Sequence, residues 1–582
     1  VPPARSGTRS WDLGRFLNPT RYPTIPVLVL AGALSGLLAA VFHLALDASW
    51  RGLAGRALDL PRGPVQIALL LTLPTLMGCL LSFLVPSVAP DAGGGLSLVR
   101  TAYAGDPERL SFRTWVGALV FNPLSLGSGV PLGPEGPTVV LTSTVSVGLA
   151  RLLRLPARFV RGMIPVGTAA GIAAIFNTPI TGVVFALEEI MGQASREVLG
   201  GSIVAAVAAA VVQKQLLAGR HLLPASPAGW TSAWELIGFG LVGAVSGLAA
   251  GGIARLVPLL RNRLRATVPS RVVRGGLGGL TVGFLGLIAP RVLGVGYDSV
   301  SMWLRGGGDG STAGIAFLAK FCGVLVALAV PLLGGVFAPS LFLGAALGAA
   351  TGHAVKHLFP WAAVDPGAYA LVGMGAFFAG FLRTPIASVL IVFELTGDYD
   401  LVAPLMLAVV LSSIVARRVS QSTLVEQQLE AAGFAVASSS EDPLRRFRAR
   451  DVMTASPLSL PGDWAARAGW DRAQETGFSL FPVVDGGGSL VGVVPRDVLR
   501  DAAVRTPDAL LSLLARSPRV VATPEESLDH LAERLAEAGE TRCAVVDSST
   551  PPRVVGFISP RDLLRARART GEGQGEDGPS WT

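Results

Sequence analysis

TPITGVVFALEE, residues 178–189, returns as TPIASVLIVFEL at residues 384–395, and in both copies a glutamate follows the proline by nine positions, Glu188 after Pro179 and Glu394 after Pro385. A weaker echo precedes each copy: GPEGP, residues 133–137, and GVFAP, residues 335–339, share the form G-x-x-x-P. Two tokens in the same order at comparable spacing mark a duplicated unit. The chain around them is apolar. Of its 582 residues 51% are hydrophobic and only 15% charged, too little charge for a soluble enzyme of this size. IPVLVLAGALSGLLAAVFHLAL from Ile25 and VQIALLLTLPTLMGCLLSFLVP from Val65 contain no Asp, Glu, Lys or Arg. Each is about the 20 residues a helix needs to cross a bilayer. Similar runs begin near Val116, Met163, Ile203, Ile237, Leu277, Ile315, Leu341, Ala368, Ile386 and Val402. Duplicated membrane halves often run in opposite directions and hold substrate at their interface.

Several of these runs are short or interrupted by Gly and Pro, of which the chain has 71 and 41. Irregular backbone survives at membrane depth only where it is buried in protein or lines a wet cavity, so helices that begin inside the bilayer are expected. The net charge of +8 is not a nucleic-acid signal. Its arginine cluster RNRLRATVPSRVVR, residues 261–274, sits between apolar runs, and the positive-inside tendency puts that loop in the cytoplasm. Cys79, Cys322 and Cys543 have no metal spacing and read as packing residues. The polar start VPPARSGTRSWDLGRF suggests no cleavable signal.

The repeat sorts the acidic residues. Glu188 has a counterpart in Glu394 and reads as structural, whereas Glu189 faces Leu395 and Glu135 faces Phe337. Carboxylates in a membrane are costly, so the two that the repeat does not explain are the functional candidates. The Gly-Pro pair before Glu135 suits a helix opening. A helix that starts in mid-membrane offers free N–H groups and the positive end of its dipole, and an anion satisfies both. Two such starts facing each other make an anion site with no fixed cation. A carboxylate at one of them takes the anion's place when ionised and gives it up when protonated. The alternative is that Glu135 only caps its own helix.

LGPEGPTVVL resembles the G-(K/R)-E-G-P signature of the CLC chloride channels and transporters, GGVFAP resembles that family's G-x-F-x-P signature, and IFNTPITGVVFALEEI resembles its inner-glutamate helix. The likeness spans residues 20–570. It implies the all-α polytopic CLC membrane fold with inverted structural repeats, one anion pathway per subunit, and homodimers. By this resemblance Glu135 matches the gating glutamate and Glu189 the internal proton-transfer glutamate. Gly136, Val336, Phe337 and Ala338 fall in the segments that line the anion pathway. The expected partners are chloride, protons and the lipid bilayer, with no nucleic acid, no metal, no cofactor and no enzymatic activity.

The chain also departs from the family. GSGVP, residues 127–131, looks like the family's serine-bearing G-S-G-I-P signature but lies directly against GPEGP, so the counterpart is expected in PDAGGGLSLV, residues 90–99. An ungapped register puts Gly95 where the serine belongs; Ser97 reaches that place only through a local shift. QSTLVEQQLEAAG, residues 421–433, puts Val425 at the position of the pore tyrosine, and Pro134 replaces the usual basic neighbour of the glutamate. With both hydroxyls gone, a weaker central anion site and loose coupling are expected. Chloride–proton exchange is the first reading and a passive, proton-uncoupled chloride channel the alternative. An intramembrane enzyme using Glu135 ranks below both, since no metal-ligand cluster accompanies it.

Beyond about residue 430 the sequence turns polar and alternates strand and helix patterns. FPVVDGGGSLVGVVPRDVL is echoed by CAVVDSSTPPRVVGFISPRDLL, which resembles a pair of cystathionine-beta-synthase (CBS) domains, small α/β units. GFISPRD resembles the motif whose hydroxyl and Asp hold ribose, implying an adenine-nucleotide site at Ser559 and Asp562, or else a purely structural dimer module. The first repeat, GVVPRD, lacks the hydroxyl. The expected organisation is an N-terminal cytoplasmic segment 1–19, a membrane domain 20–432, a linker 433–447, CBS domains at 448–505 and 506–570, and a disordered tail 571–582. The chain is expected in the plasma or inner membrane, multi-pass, with the CBS pair cytoplasmic.

Overall fold

The computed structural model describes residues 25–192, 196–216, 233–361, 364–397, 399–431 and 443–569. The expected N-terminal segment, the linker up to residue 442 and the tail lie outside these residues. The chain divides into two compact units, Val1–Val436 and Ala437–Thr582.

The first unit is helical. Its first half contains α1 (Ile25–Gly52), α2 (Pro64–Val88), α3 (Gly95–Ala104), α4 (Phe112–Gly127), α5 (Glu135–Leu152), α6 (Ala157–Phe176), α7 (Pro179–Phe185) and α8 (Arg196–Leu216). The second half contains α9 (Glu235–Thr267), α10 (Arg271–Ile288), α11 (Tyr297–Leu304), α12 (Gly310–Ala329), α13 (Phe337–Leu358), α14 (Pro366–Leu382), α15 (Pro385–Thr396) and α16 (Val402–Val419), and α17 (Leu424–Ala431) follows. Among the described residues, nine candidate spans are long and apolar enough to cross a membrane. Large apolar side chains such as Leu76, Phe83, Leu248 and Phe284 stand exposed on them, as lipid-facing surfaces require.

The duplication is visible in the packing. α5 packs on α6, α6 on α8 and α1 on α8; α13 packs on α14, α14 on α16 and α9 on α16. A Cβ on Gly32 would collide with the Ala205 carbonyl where α1 meets α8, and one on Gly243 with the Ala408 carbonyl where α9 meets α16. Small residues at these crossings let backbones touch, since tight packing rather than water expulsion holds membrane helices together. α6 and α14 both end in a left-handed residue, Asn177 (φ 56) and Arg383 (φ 59), followed by the Thr-Pro that opens the next helix.

The repeated glutamates tie the halves to each other. Glu188 accepts hydrogen bonds from the Ile386 and Ala387 amides at the start of α15, and Glu394 accepts from the Ile180 and Thr181 amides at the start of α7. Each carboxylate caps a helix N-terminus of the other half. The structural role read for this pair is thus a reciprocal exchange of caps.

The repeat breaks at one place. α7 passes into a π-helical turn, Ala186–Met191, whereas its counterpart α15 stays α-helical throughout. Single π turns widen a helix locally and recur at functional positions. Glu189, the residue without a counterpart, sits in this turn.

The second unit holds two small sheets, one per sequence repeat. One has the order β2 (Leu460–Pro461), β3 (Leu480–Val484), β4 (Leu490–Pro495). The other has the order β1 (Thr454–Ala455), β7 (Val554–Ile558), β6 (Cys543–Val546), β5 (Val521–Ala522), so the strand leading into the first repeat completes the sheet of the second. α18 (Ala466–Ala473) and α19 (Arg496–Arg505) accompany the first sheet, α20 (Leu528–Glu537) and α21 (Pro560–Arg569) the second. Within the stretch read as linker, Leu444 is buried in the core of the second repeat.

Of the cysteines read as packing residues, Cys543 is buried in β6, where burial pushes its thiol up to about 12, and Cys79 is half-buried. Cys322 corrects that reading: it is exposed on α12.

Candidate anion pathway

The loops ahead of α5 and α13 meet as a two-residue antiparallel bridge: the Gly133 amide donates to the Gly335 carbonyl at 2.8 Å and the Gly335 amide to the Gly133 carbonyl at 2.5 Å. Two residues past the bridge on either side, Glu135 and Phe337 begin their helices. The loop into α3 joins them, since a Cβ on Gly136 would lie 3.1 Å from the Gly335 Cα and 3.5 Å from the Gly95 Cα. Three helix N-termini therefore converge on bare backbone, and each brings unsatisfied N–H groups and positive dipole charge.

Two cavities flank this junction. One, of about 780 Å³, is lined by Pro134, Tyr297, Arg291, Asp298 and His43 among others. The other, of about 440 Å³, is lined by Gly95, Gly136, Gly335, Val336 and Val425 among others. Pro134 borders the first and Gly136 the second; Glu135 stands between them and is 1% exposed.

The Glu135 side chain folds back over the bridge. All three of the atoms nearest a Cβ built on Gly133 belong to this carboxyl group, with Oε2 overlapping it, and Oε2 is also the side-chain atom nearest a Cβ on Gly335. The carboxylate lies against its own amide and the Ala338 amide of the facing helix, so it draws on both helix starts where a simple cap would use one. Oε1 accepts from the Tyr297 hydroxyl at 3.1 Å, while Oε2 is buried with no hydrogen-bond partner.

The residues proposed for the anion line split into two groups. Gly95, Gly136, Val336 and Val425 border one cavity. Phe337 and Ala338 do not: the Phe337 ring is fully buried against Phe378 (centroids 4.2 Å) and Phe176 (4.7 Å), so its segment can meet an anion only through backbone. Phe337 also packs against Phe185, four residues before Glu189. This aromatic cluster links the helix start facing Glu135 to the turn that carries Glu189.

Glu189 is 4% exposed and pairs with Arg100 of α3 at 3.5 Å, with Glu188 and Glu426 nearby. Ser128 of GSGVP gives its hydroxyl to the Ser125 carbonyl and borders neither cavity, in line with that stretch being only the approach to α5. Ser97 does border the smaller cavity, but its hydroxyl is spent on the Gly94 carbonyl at 2.6 Å.

Gly95 has φ +51, a conformation that side chains rarely adopt. A serine there would strain the backbone, so of the two positions where the family's hydroxyls are missing, Gly95 and Val425, only the second takes one without that penalty, as Val425→Tyr. That variant adds a hydroxyl to the cavity wall. It should lower the chloride Kd two- to tenfold in calorimetry, from a hydrogen bond of about 0.5–1.5 kcal/mol; an unchanged Kd would speak against the assigned register.

Tyr297, Lys320 and Arg100 were not anticipated from the sequence. Lys320 of α12 is fully buried, donates to the carbonyls of Val292 (3.0 Å), Gly294 (2.6 Å) and Val295 (3.4 Å), and lies 4.7 Å from the Phe342 ring centroid. It holds the turn leading to Tyr297 and acts on Glu135 electrostatically. Its signal was available: it is the one charge in GIAFLAKFCGVLVALAV, and intramembrane charges are functional candidates by default. Lys320→Met keeps the stem but strands these carbonyls. We expect a loss of about 2–4 kcal/mol, read as a lower unfolding midpoint in detergent.

In the second unit, Ser559 and Asp562 engage each other. The Ser559 amide and hydroxyl donate to Asp562 Oδ2 at 2.9 and 2.6 Å, at the start of α21. This is the geometry of a helix-capping pair.

The profile of the family described as voltage gated chloride channel matches residues 76–417, and that of the CBS domain matches residues 449–505 and 512–569. The chain is 30% identical over 451 residues to "Chloride channel protein CLC-e" of Arabidopsis thaliana, covering 71% of this chain and 62% of that protein. It is 27% identical over 432 residues to "H(+)/Cl(-) exchange transporter ClcA" of Yersinia pseudotuberculosis, covering 71% of this chain and 88% of the relative. A solved structure titled as that of a eukaryotic CLC transporter superposes with a TM-score of 0.63 at 20% identity, over 92% of this chain and 97% of the other.

Proposed function

The chain belongs to the voltage-gated chloride channel family, and from that premise we propose that it carries chloride across a membrane in loosely coupled exchange for protons, with Glu135 as the gate. One observation carries this reading: Glu135 stands between two cavities, at a junction of three helix starts, with its Oε2 unpartnered. When ionised, the carboxylate fills the anion's place between the Gly133 and Gly335 loops. Protonation cancels its attraction to the helix dipoles, and a chloride ion takes up the same amides. The gate and the transported ion thus exclude each other.

Glu189 is the second proton carrier in this cycle. Its pairing with Arg100, on the helix that starts at Gly95, connects it to the anion-lining loop. The Yersinia relative, named as an H(+)/Cl(-) exchange transporter, agrees with proton coupling. Loose coupling follows from the smaller cavity: with Gly95 and Val425 in place and the Ser97 hydroxyl committed, the anion there has backbone amides to hold it. The subunit works as a homodimer, with the arginine loop 261–274 and the CBS pair on the cytoplasmic side. Ser559 and Asp562, bonded to each other, act as a cap for α21 and serve a structural CBS module.

Purified protein in liposomes, with chloride and proton fluxes followed together, tests the proposal. An outward chloride gradient should drive proton uptake at a chloride-to-proton ratio above that of tightly coupled exchange. Chloride efflux with no proton uptake would replace exchange by the passive channel.

A further inference from the structure

The cavity beside Gly95 and Gly335 has a wall that the transport cycle does not use. Arg261 and Arg265 from the end of α9, and Arg271 and Arg274 from the start of α10, all line it. Two are anchored: Arg261 donates to the Leu328 carbonyl at 2.9 Å, and Arg274 to the carbonyls of Val268 and Pro269 at 2.6 and 2.8 Å. Arg265 and Arg271 are exposed. Arg265 lies near enough to both Arg261 and Arg271 to repel them, and Arg274 repels Arg271 in turn. Among the described residues none of the four forms an ion pair, although exposed arginines elsewhere in the chain, such as Arg448 and Arg450, do.

Four uncompensated guanidinium groups on one cavity repel one another, and an anion relieves that repulsion. Chloride meets one or two of them at a time. Phosphoryl oxygens match the guanidinium fork in pairs and carry more charge, so a polyvalent phosphate engages several arginines together. A cavity of about 440 Å³ accommodates such an ion with water around it. Its other wall is Gly94, Gly95, Gly335 and Val336, the backbone at the mouth of the proposed anion path.

The geometry points to a binding site for polyvalent phosphate groups at Arg261, Arg265, Arg271 and Arg274, whose occupant obstructs the inner mouth of the pathway. The phosphate comes from a free ion such as pyrophosphate or from a lipid headgroup that ends in a phosphomonoester. The binding claim rests on the cavity alone; its effect on flux rests on the function proposed above.

Pyrophosphate titrated calorimetrically into the full chain, in nonionic detergent and chloride-free buffer, separates the two claims. The wild type should bind saturably, and R265Q/R271Q should bind roughly tenfold or more weakly. D562A, which alters the CBS unit, should bind as the wild type does. R265K/R271K keeps the charge without the fork and should fall between, which guards against misfolding of the glutamine variant. In phosphatidylcholine liposomes, pyrophosphate should inhibit chloride flux through the wild type and less through R265Q/R271Q. If phosphatidic acid in the bilayer, whose phosphomonoester carries up to two charges, inhibits in its place and removes the pyrophosphate effect, the occupant is a headgroup; if pyrophosphate still acts, it is a free phosphate. Equal pyrophosphate binding by wild type and R265Q/R271Q overturns the site, and so does no binding combined with no effect of phosphatidic acid. Binding without inhibition keeps the site and overturns the obstruction.

Discussion

Glu135→Gln should transport chloride and move no protons. Glutamine keeps the size and a carbonyl oxygen for Tyr297, but it cannot carry a proton and has no charge to hold it against the helix starts. It is therefore locked in the state that yields to chloride. Proton uptake driven by a chloride gradient should fall roughly a hundredfold or more, to the level of membrane leak, as when a proton-transfer group is removed elsewhere. Chloride flux should persist and lose its dependence on pH. The measurement follows both ions in the same liposomes. Proton uptake at the wild-type rate would remove Glu135 from the cycle.

Gly133→Ala should produce nearly the same behaviour while leaving Glu135 untouched. Gly133 is not among the residues with positive φ, so alanine meets no backbone penalty there. The nearest obstacles to its methyl group are Oε2, Cδ and Oε1 of Glu135. The methyl and the folded-back carboxylate cannot coexist, and the carboxylate is the part able to move. We expect higher chloride flux and weakened activation by acid. The double variant Gly133→Ala, Glu135→Gln should add little to either single change, because both act through one side chain. An additive result would place the effect of Gly133 elsewhere. The neighbouring Gly335→Ala is a poorer test, since its Cβ would press on the Gly136 amide as well.

Much of this arrangement was legible in the sequence because the repeat made it so. Matching Glu188 with Glu394 anticipated that they share one role, and matching Glu135 with Phe337 anticipated two facing helix starts; the bridge between Gly133 and Gly335 is where that alignment becomes contact. The alignment could not reveal that the Phe337 ring turns into an aromatic cluster, because side-chain direction depends on Phe176, Phe185 and Phe378 from three other helices. Nor could it reveal Tyr297, more than a hundred residues from the glutamate it touches. The left-handed backbone at Gly95 was equally hidden, as a glycine in a glycine-rich loop does not announce its φ. The π turn at Ala186–Met191 arises where the two copies differ, so the sequence marked the place without giving the shape.

The exchanged caps also limit how this protein can work. Five hydrogen bonds run between the halves through Glu188 and Glu394, each made by a carboxylate to the opening turn of a helix on the other side. Bonds to a charged partner contribute on the order of 1.5–3 kcal/mol apiece. A cycle in which one half rocked against the other would break this two-way clasp at every turnover. The gating proposed for Glu135 asks for no such rocking: it leaves the clasp intact and moves as little as one side chain.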